Sequence, residues 1–106
     1  MRHFSAQQLK DRLQQEGEPP LLLDVREPWE FNICAIDNSQ LIPMGQIASS
    51  MEKLNPERET VVICHHGIRS RSVAMYMERH GFKDLINLTG GVEAWSREVD
   101  LDMPTY

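Results

Sequence analysis

The chain has 106 residues, 41% of them hydrophobic and 25% charged, and a formal net charge of −5. That length suits one hydrophobic core, so a single domain over residues 1–106 is expected, and the acidic balance excludes broad binding to nucleic acid or to anionic membranes. No apolar segment approaches the roughly 18 residues of a membrane span, and the opening MRHFSAQQLK lacks the apolar stretch of a secretory signal, so a cytoplasmic protein is expected.

In SAQQLKDRLQQEG, Ser5 and Gln8 form a capping box, Leu9 and Leu13 lie four apart, and Gly17 is a stop signal, which together predict the first helix. Pro19 and Pro20 end it. Leu21, Leu22, Leu23 and Val25 then form the short apolar run of a buried strand that closes at Asp24 to Arg26. Pro28 to Phe31 predict a short helix with proline in its first turn, and QLIPM reads as a short strand ended by Pro43. In GQIASSMEKLNPE, Ile47, Met51 and Leu54 have helical spacing before Asn55 and Pro56 break it.

TVVIC, residues 60 to 64, is β-branched and apolar without alternation, as suits a central parallel strand covered on both faces. From Ser70 to His80, Val73, Ala74 and Met77, with Met75 and Tyr76 on a neighbouring face, predict a helix stopped by Gly81. FKDLINL supplies a strand, TGG a turn, and VEAWSREV a last helix. Strands alternating with helices predict an α/β sandwich whose central sheet is mostly parallel, because parallel neighbours need crossover helices. Such sheets bind ligands at the carboxyl ends of their strands, and Cys64 sits at that end.

VVICHHGIRSRS, residues 61 to 72, therefore places a thiol between a buried strand and a helix, where backbone N–H groups converge. Gly67 lets the loop curl tightly, and Arg69, Arg71 and the two histidines add positive potential for an anionic substrate despite the acidic whole. A lone cysteine at a strand end is more often inert core. The glycine and arginine within five residues of it favour a reactive thiolate instead.

Four segments in order resemble the rhodanese-like sulfurtransferases: LLLDVREPWEF, with its aspartate, arginine and acidic-aromatic pair; CAIDNSQLIPM; VVICHHGIRS; and INLTGGVEAW. The resemblance implies a rhodanese-like three-layer sandwich and a Cys64 that accepts a sulfane sulfur as a persulfide and hands it to a second nucleophile. By matching position it makes Arg69 the substrate-facing cation; the loop residues His65, His66, Gly67, Ile68, Arg69 and Ser70 are the candidate substrate-binding residues, with the two histidines lining the loop mouth either as donors to an anion or as solvated groups, and Asp24 and Arg26 take a supporting place. The implied partners are a small anionic sulfur donor, such as thiosulfate or a persulfide, and a thiol, cyanide or protein acceptor; no cofactor and no metal are implied. Cys34 and Ala35 stand where the family has glycine and histidine, and Asp37, Asn38 and Ser39 replace its proline, glycine and small residue. The reaction therefore carries over more directly than the acceptor.

Phosphatases of related architecture place five residues between cysteine and arginine; here four separate Cys64 from Arg69, and Ser70 occupies the phosphatase position. A non-catalytic rhodanese module that binds a partner protein is the rival from another class, against which stand Cys64, Gly67 and Arg69. Cys34 reads as a small residue in a glycine site rather than a resolving thiol, and the two cysteines as unpaired in a reducing compartment. His65 and His66, as consecutive side chains, are expected to point apart rather than share a metal. Trp29 and Trp95 are read as packing residues. Asp24 and Arg26 are either loop supports or a structural ion pair.

Overall fold

The computed structural model describes residues 1–106. Five parallel strands, β1 (Arg2–Phe4), β2 (Leu21–Asp24), β3 (Gln40–Leu41), β4 (Thr60–Ile63) and β5 (Leu85–Leu88), form one sheet in the order β1-β5-β4-β2-β3. Five helices, α1 (Ala6–Leu13), α2 (Pro28–Ile33), α3 (Ile47–Ser50), α4 (Ile68–Arg79) and α5 (Gly91–Glu98), connect them. The sheet separates two apolar layers. Leu22, Val61, Ile63 and Ile86 face one side and pack with Ala6, Leu9, Val92 and Trp95 of α1 and α5. Leu23, Val62 and Leu85 face the other and pack with Ile47, Val73, Ala74 and Met77 of α3 and α4.

This is the three-layer α/β sandwich expected from the alternation of strands and helices, with every strand pair parallel. All four residues of β4 are buried, as its unbroken apolar run requires, and each aliphatic side chain so placed contributes about 1.5–3 kcal/mol of burial free energy. The capping box also forms: Ser5 Oγ accepts from Gln8 N at 3.2 Å while Gln8 Oε1 accepts from Ser5 N at 2.8 Å. No helix is long and apolar enough to cross a membrane.

Three elements differ from expectation. β1 carries no strand signal of its own, since Arg2 and His3 are polar; pairing along the edge of β5 makes it a strand, with both side chains exposed. The helix expected over 45–54, before Asn55 and Pro56, is a chain of short turns: 3-10 geometry at Met44–Gln46, one α-turn at Ile47–Ser50, and 3-10 geometry again at Met51–Lys53. Gly45, Ser49 and Ser50 favour local turns over a continuous helix, and Ile47 is the buried anchor. The helix after the cysteine starts at Ile68, two residues before the expected Ser70, because Gly67 enters it at φ +94°.

The carboxyl ends of β2, β4 and β5 meet at one edge, with Asp24 paired in register to Ile63 and Val62 to Asn87. There the first turn of α5 docks on the loop that follows β4: Val92 N donates to Cys64 O at 3.0 Å and Glu93 N donates to His65 O at 3.1 Å. Two helix-start N–H groups are satisfied and two loop carbonyls are fixed. Gly91, at φ +57°, permits this approach, since a Cβ there would collide with the Cys64 and His65 carbonyl oxygens. Gly91→Ala is accordingly expected to destabilise the protein by about 2 kcal/mol, lowering the thermal midpoint by about 10 °C in calorimetry.

Candidate active site

Cys64 leaves β4 into a turn closed by Gly67, whose left-handed backbone tucks it against the β5–α5 connection; a Cβ on Gly67 would sit 3.0 Å from Gly90 N and 3.2 Å from Leu88 O. The turn points Gly67 N at Cys64 Sγ, 3.0 Å away, so an N–H dipole faces the sulfur and stabilises negative charge on it. On its other side the thiol donates to Ser70 Oγ at 3.3 Å, Ser70 Oγ donates to Asn87 Oδ1 at 2.5 Å, and Asn87 Nδ2 donates back to Gly67 O at 3.2 Å. The ring of four groups holds the sulfur and the loop in one register. Asn87 lies outside the site residues expected from the motifs, and its signal in the sequence is a lone amide within the buried LINL strand.

The turn after β2 is organised by Arg26, whose side chain is wholly buried. Its Nε donates to Asp24 Oδ1 at 3.0 Å, and its Nη2 donates to Asp24 Oδ2 and to Cys34 O, both at 2.7 Å. Nη1 donates to the Tyr106 hydroxyl at 3.0 Å. Burial opposes the charge, but the bonds to Asp24 and Tyr106 outweigh it and raise the guanidinium pKa. Asp24 and Arg26 thus form a fully buried pair that also reaches toward the site.

Arg69 extends from α4 to Glu30 of α2 as a two-pronged pair, with Nη1 donating to Oε1 at 2.7 Å and Nη2 to Oε2 at 2.8 Å. Glu30 also accepts from Glu27 N at 3.0 Å and from the Tyr106 hydroxyl at 2.7 Å. The Arg69 bonds above all, then those from Glu27 N and Tyr106, hold its carboxyl at about 2 against an ordinary 4.5, although burial works the other way. The cation that the motif places toward substrate is therefore neutralised by a carboxylate of its own chain. Glu30 is the acidic residue of the first motif, legible there as a pattern but not as this partner.

Beside the loop, four rings follow one another. Trp29 meets Tyr106 edge-on at 5.7 Å, Tyr106 stacks on His65 at 4.0 Å with planes 17° apart, and His65 lies 3.9 Å from His66. The adjacent histidines thus lean together instead of pointing apart. Trp95 packs in the core as expected, but Trp29 is 60% exposed, a correction that follows from its place on the outer face of the six-residue α2. Burial, and then the nearby charge of His66, keep the His65 pKa below the ordinary imidazole value. Burial pushes the Tyr106 hydroxyl up to about 12, so it stays a donor to Glu30. Nothing in the sequence pattern marked Tyr106.

Ile68 points outward, 76% exposed, while Cys64 itself is 1% exposed at the base of the loop. Cys34 is a buried free thiol in the α1/α5 layer, whereas Cys64 belongs to the α3/α4 layer across the sheet. Two larger hollows, of about 580 and 510 Å³, are lined by other parts of the chain and by none of residues 64–69.

A family model described as a rhodanese-like domain matches residues 5–98. Rhodanese-like/PpiC domain-containing protein 12, chloroplastic, of Arabidopsis thaliana is 42% identical over 89 residues, covering 80% of the chain and 30% of that protein. The chain thus spans under a third of the length of this relative. Thiosulfate sulfurtransferase GlpE of Vibrio cholerae is 32% identical over 76 residues, covering 72% of each chain. Among solved structures, a rhodanese-like domain protein from Staphylococcus aureus superposes with a TM-score of 0.85 at 33% identity, covering 93% of this chain and 95% of that one.

The Glu30 contacts carry a pH signature. Because its folded pKa of about 2 lies below the ordinary 4.5, the unfolded chain binds the proton more readily, and the stabilisation is complete above about pH 5 and disappears as pH falls toward 2. Allowing for solvent around the partly exposed Arg69, this amounts to about 2 kcal/mol. Glu30→Gln should therefore be less stable than the parent in urea titrations at pH 7, with the gap closing progressively below pH 4.

Proposed function

We propose, for a chain that belongs to the rhodanese-like family, that it transfers a sulfane sulfur through a persulfide on Cys64. The observation that carries this reading is the Gly67 N–H aimed at Cys64 Sγ from 3.0 Å, within a loop of four residues between Cys64 and Arg69. Such a turn suits a single charged sulfur better than the wider cradle of a tetrahedral phosphate. Relatives named as sulfurtransferases support it.

In the first half-reaction the Cys64 thiolate attacks the outer sulfur of thiosulfate or of a persulfide. The new S–S bond forms as the old one breaks, and sulfite or a thiolate departs with the electron pair. Gly67 N–H, with the positive start of α4 behind it, faces the negative charge that then resides on the terminal sulfur. In the second, a thiol or cyanide attacks that terminal sulfur and Cys64 leaves as the thiolate. Oxidation levels balance across the cycle, so no external oxidant enters. Ser70 and Asn87 keep the sulfur on the Gly67 side of the loop, and Arg69 with Glu30 keeps the start of α4 in place. His65, His66 and Ile68 form the mouth through which donor and acceptor arrive.

The 1% exposure of Cys64 favours a second reading, a rhodanese module that binds a partner without turnover. One measurement separates the two. Incubation with thiosulfate or glutathione persulfide, followed by intact-mass analysis, is expected to add one sulfur atom to the protein, and Cys64→Ser to abolish both this adduct and thiocyanate formation from cyanide. An unmodified Cys64 with every donor would support the binding module.

A further inference from the structure

Tyr106 lies beyond the residues 5–98 that the family model matches, yet it touches the site at four points. The segment after α5 is anchored by Met103, buried in the α1/α5 layer, and then brings Tyr106 back between α2 and the cysteine loop. There its hydroxyl is held between Arg26 Nη1 at 3.0 Å and Glu30 Oε2 at 2.7 Å, while its ring lies on His65 and receives the edge of Trp29. The phenol is thus pinned by two charged groups, Arg26 wholly buried and Glu30 nearly so. A contact made only by packing would leave the ring free to swing; these bonds fix its plane, and with it the plane of His65 next to Cys64.

The charge around the loop points the same way. Arg69 is neutralised by Glu30 and Arg26 by Asp24, and the lowered pKa of His65 leaves that ring mostly uncharged at neutral pH. What remains for a small dianion is the backbone of the loop, His66, and Arg71 on the exposed side of α4. What is offered to a larger donor is a row of partly exposed aromatic rings, from His66 through His65 and Tyr106 to a Trp29 ring that is 60% exposed. An organic body placed on that surface buries apolar area, and bare thiosulfate has none to bury.

We infer that the row Trp29–Tyr106–His65–His66 is the specificity wall of the site, and that it selects a sulfane sulfur carried on an organic thiol, of the glutathione persulfide type, over inorganic thiosulfate. This rests on the proposed sulfur transfer through Cys64 and narrows its donor. The chemistry is unchanged: the Cys64 thiolate bonds to the outer sulfur of R–S–SH, the donor S–S bond breaks, R–S⁻ leaves with the electron pair and takes a proton from the medium, and Cys64 is left as Cys–S–SH. Tyr106 acts by holding the wall in place and Trp29 by touching the organic body.

The test compares kcat/KM for glutathione persulfide and for thiosulfate in the full chain. The parent protein is expected to favour the persulfide by about tenfold or more, and Trp29→Ala and Tyr106→Leu each to lower that ratio by about fivefold, chiefly through KM for the persulfide, as loss of one ring contact predicts. Tyr106→Phe keeps the stack without the pin and should fall between. The His65 ring protons report the wall independently of activity: their NMR shifts should move most on Tyr106→Leu, which removes the stacked ring, and by a smaller amount on Tyr106→Phe, which removes only the pin. Should Tyr106→Leu fail to fold, Trp29→Ala, at an exposed position, carries the kinetic test. A parent that prefers thiosulfate, or a ratio unchanged in folded variants, overturns the wall while leaving sulfur transfer intact; absence of a Cys64 adduct from either donor overturns both.

Discussion

A guanidinium with no access to water must have its donors met by the protein, and Arg26 imposes that condition on everything around it. Burying such a charge is costly unless it is paired, and removing one partner of a buried pair typically costs about 3–5 kcal/mol. Asp24 answers the charge, but a carboxylate engages only part of the fork. The rest is met by the Cys34 carbonyl at the end of α2 and by the Tyr106 hydroxyl from the end of the described chain. Segments far apart in sequence are thereby drawn to the same edge of the sheet. Glu30 is placed as a result, since α2 is held at both ends, by Arg26 at its C-terminal carbonyl and by its own Glu27–Glu30 cap at the start.

From Glu30 the constraint passes to the cysteine loop through Arg69. The loop is then clamped from three directions: α2 through Arg69, α5 through Val92 N and Glu93 N, and β5 through Asn87 and Ser70. None of these contacts is individually large, but each fixes a different atom of a short turn. A turn of this length cannot move one carbonyl without disturbing its neighbour. The Gly67 N–H consequently faces the sulfur without having to reorganise when charge develops there, which is how a backbone dipole becomes effective in a dry setting.

Much of this was legible in the residues. The apolar runs of β2, β4 and β5, the capping box at Ser5 and the position of Cys64 at a strand end follow from periodicity and turn chemistry alone. The edge strand β1 did not, because its identity comes from pairing with β5 and not from its own three residues. The Cys64 loop could be assigned, but not the state of its cation, since the pairing of Arg69 with Glu30 spans 39 positions. Trp29 and Trp95 look alike as aromatic residues in short helices, and only the direction each helix faces separates a core ring from an exposed one. Tyr106 had no periodic context at all. Its place is set by Met103, whose burial determines where the following residues fall.

The sheet has one more consequence, which concerns time. Cys34 and Cys64 are the two thiols of the chain, and they occupy opposite apolar layers with the strands between them. If the proposed persulfide forms on Cys64, it lies in the layer opposite the Cys34 thiol, an arrangement that disfavours its collapse to an internal disulfide. Under the proposed sulfur transfer the β-sheet would serve as a septum between the two thiols, favouring a bound sulfur that is carried to a second molecule over one that is lost within the first.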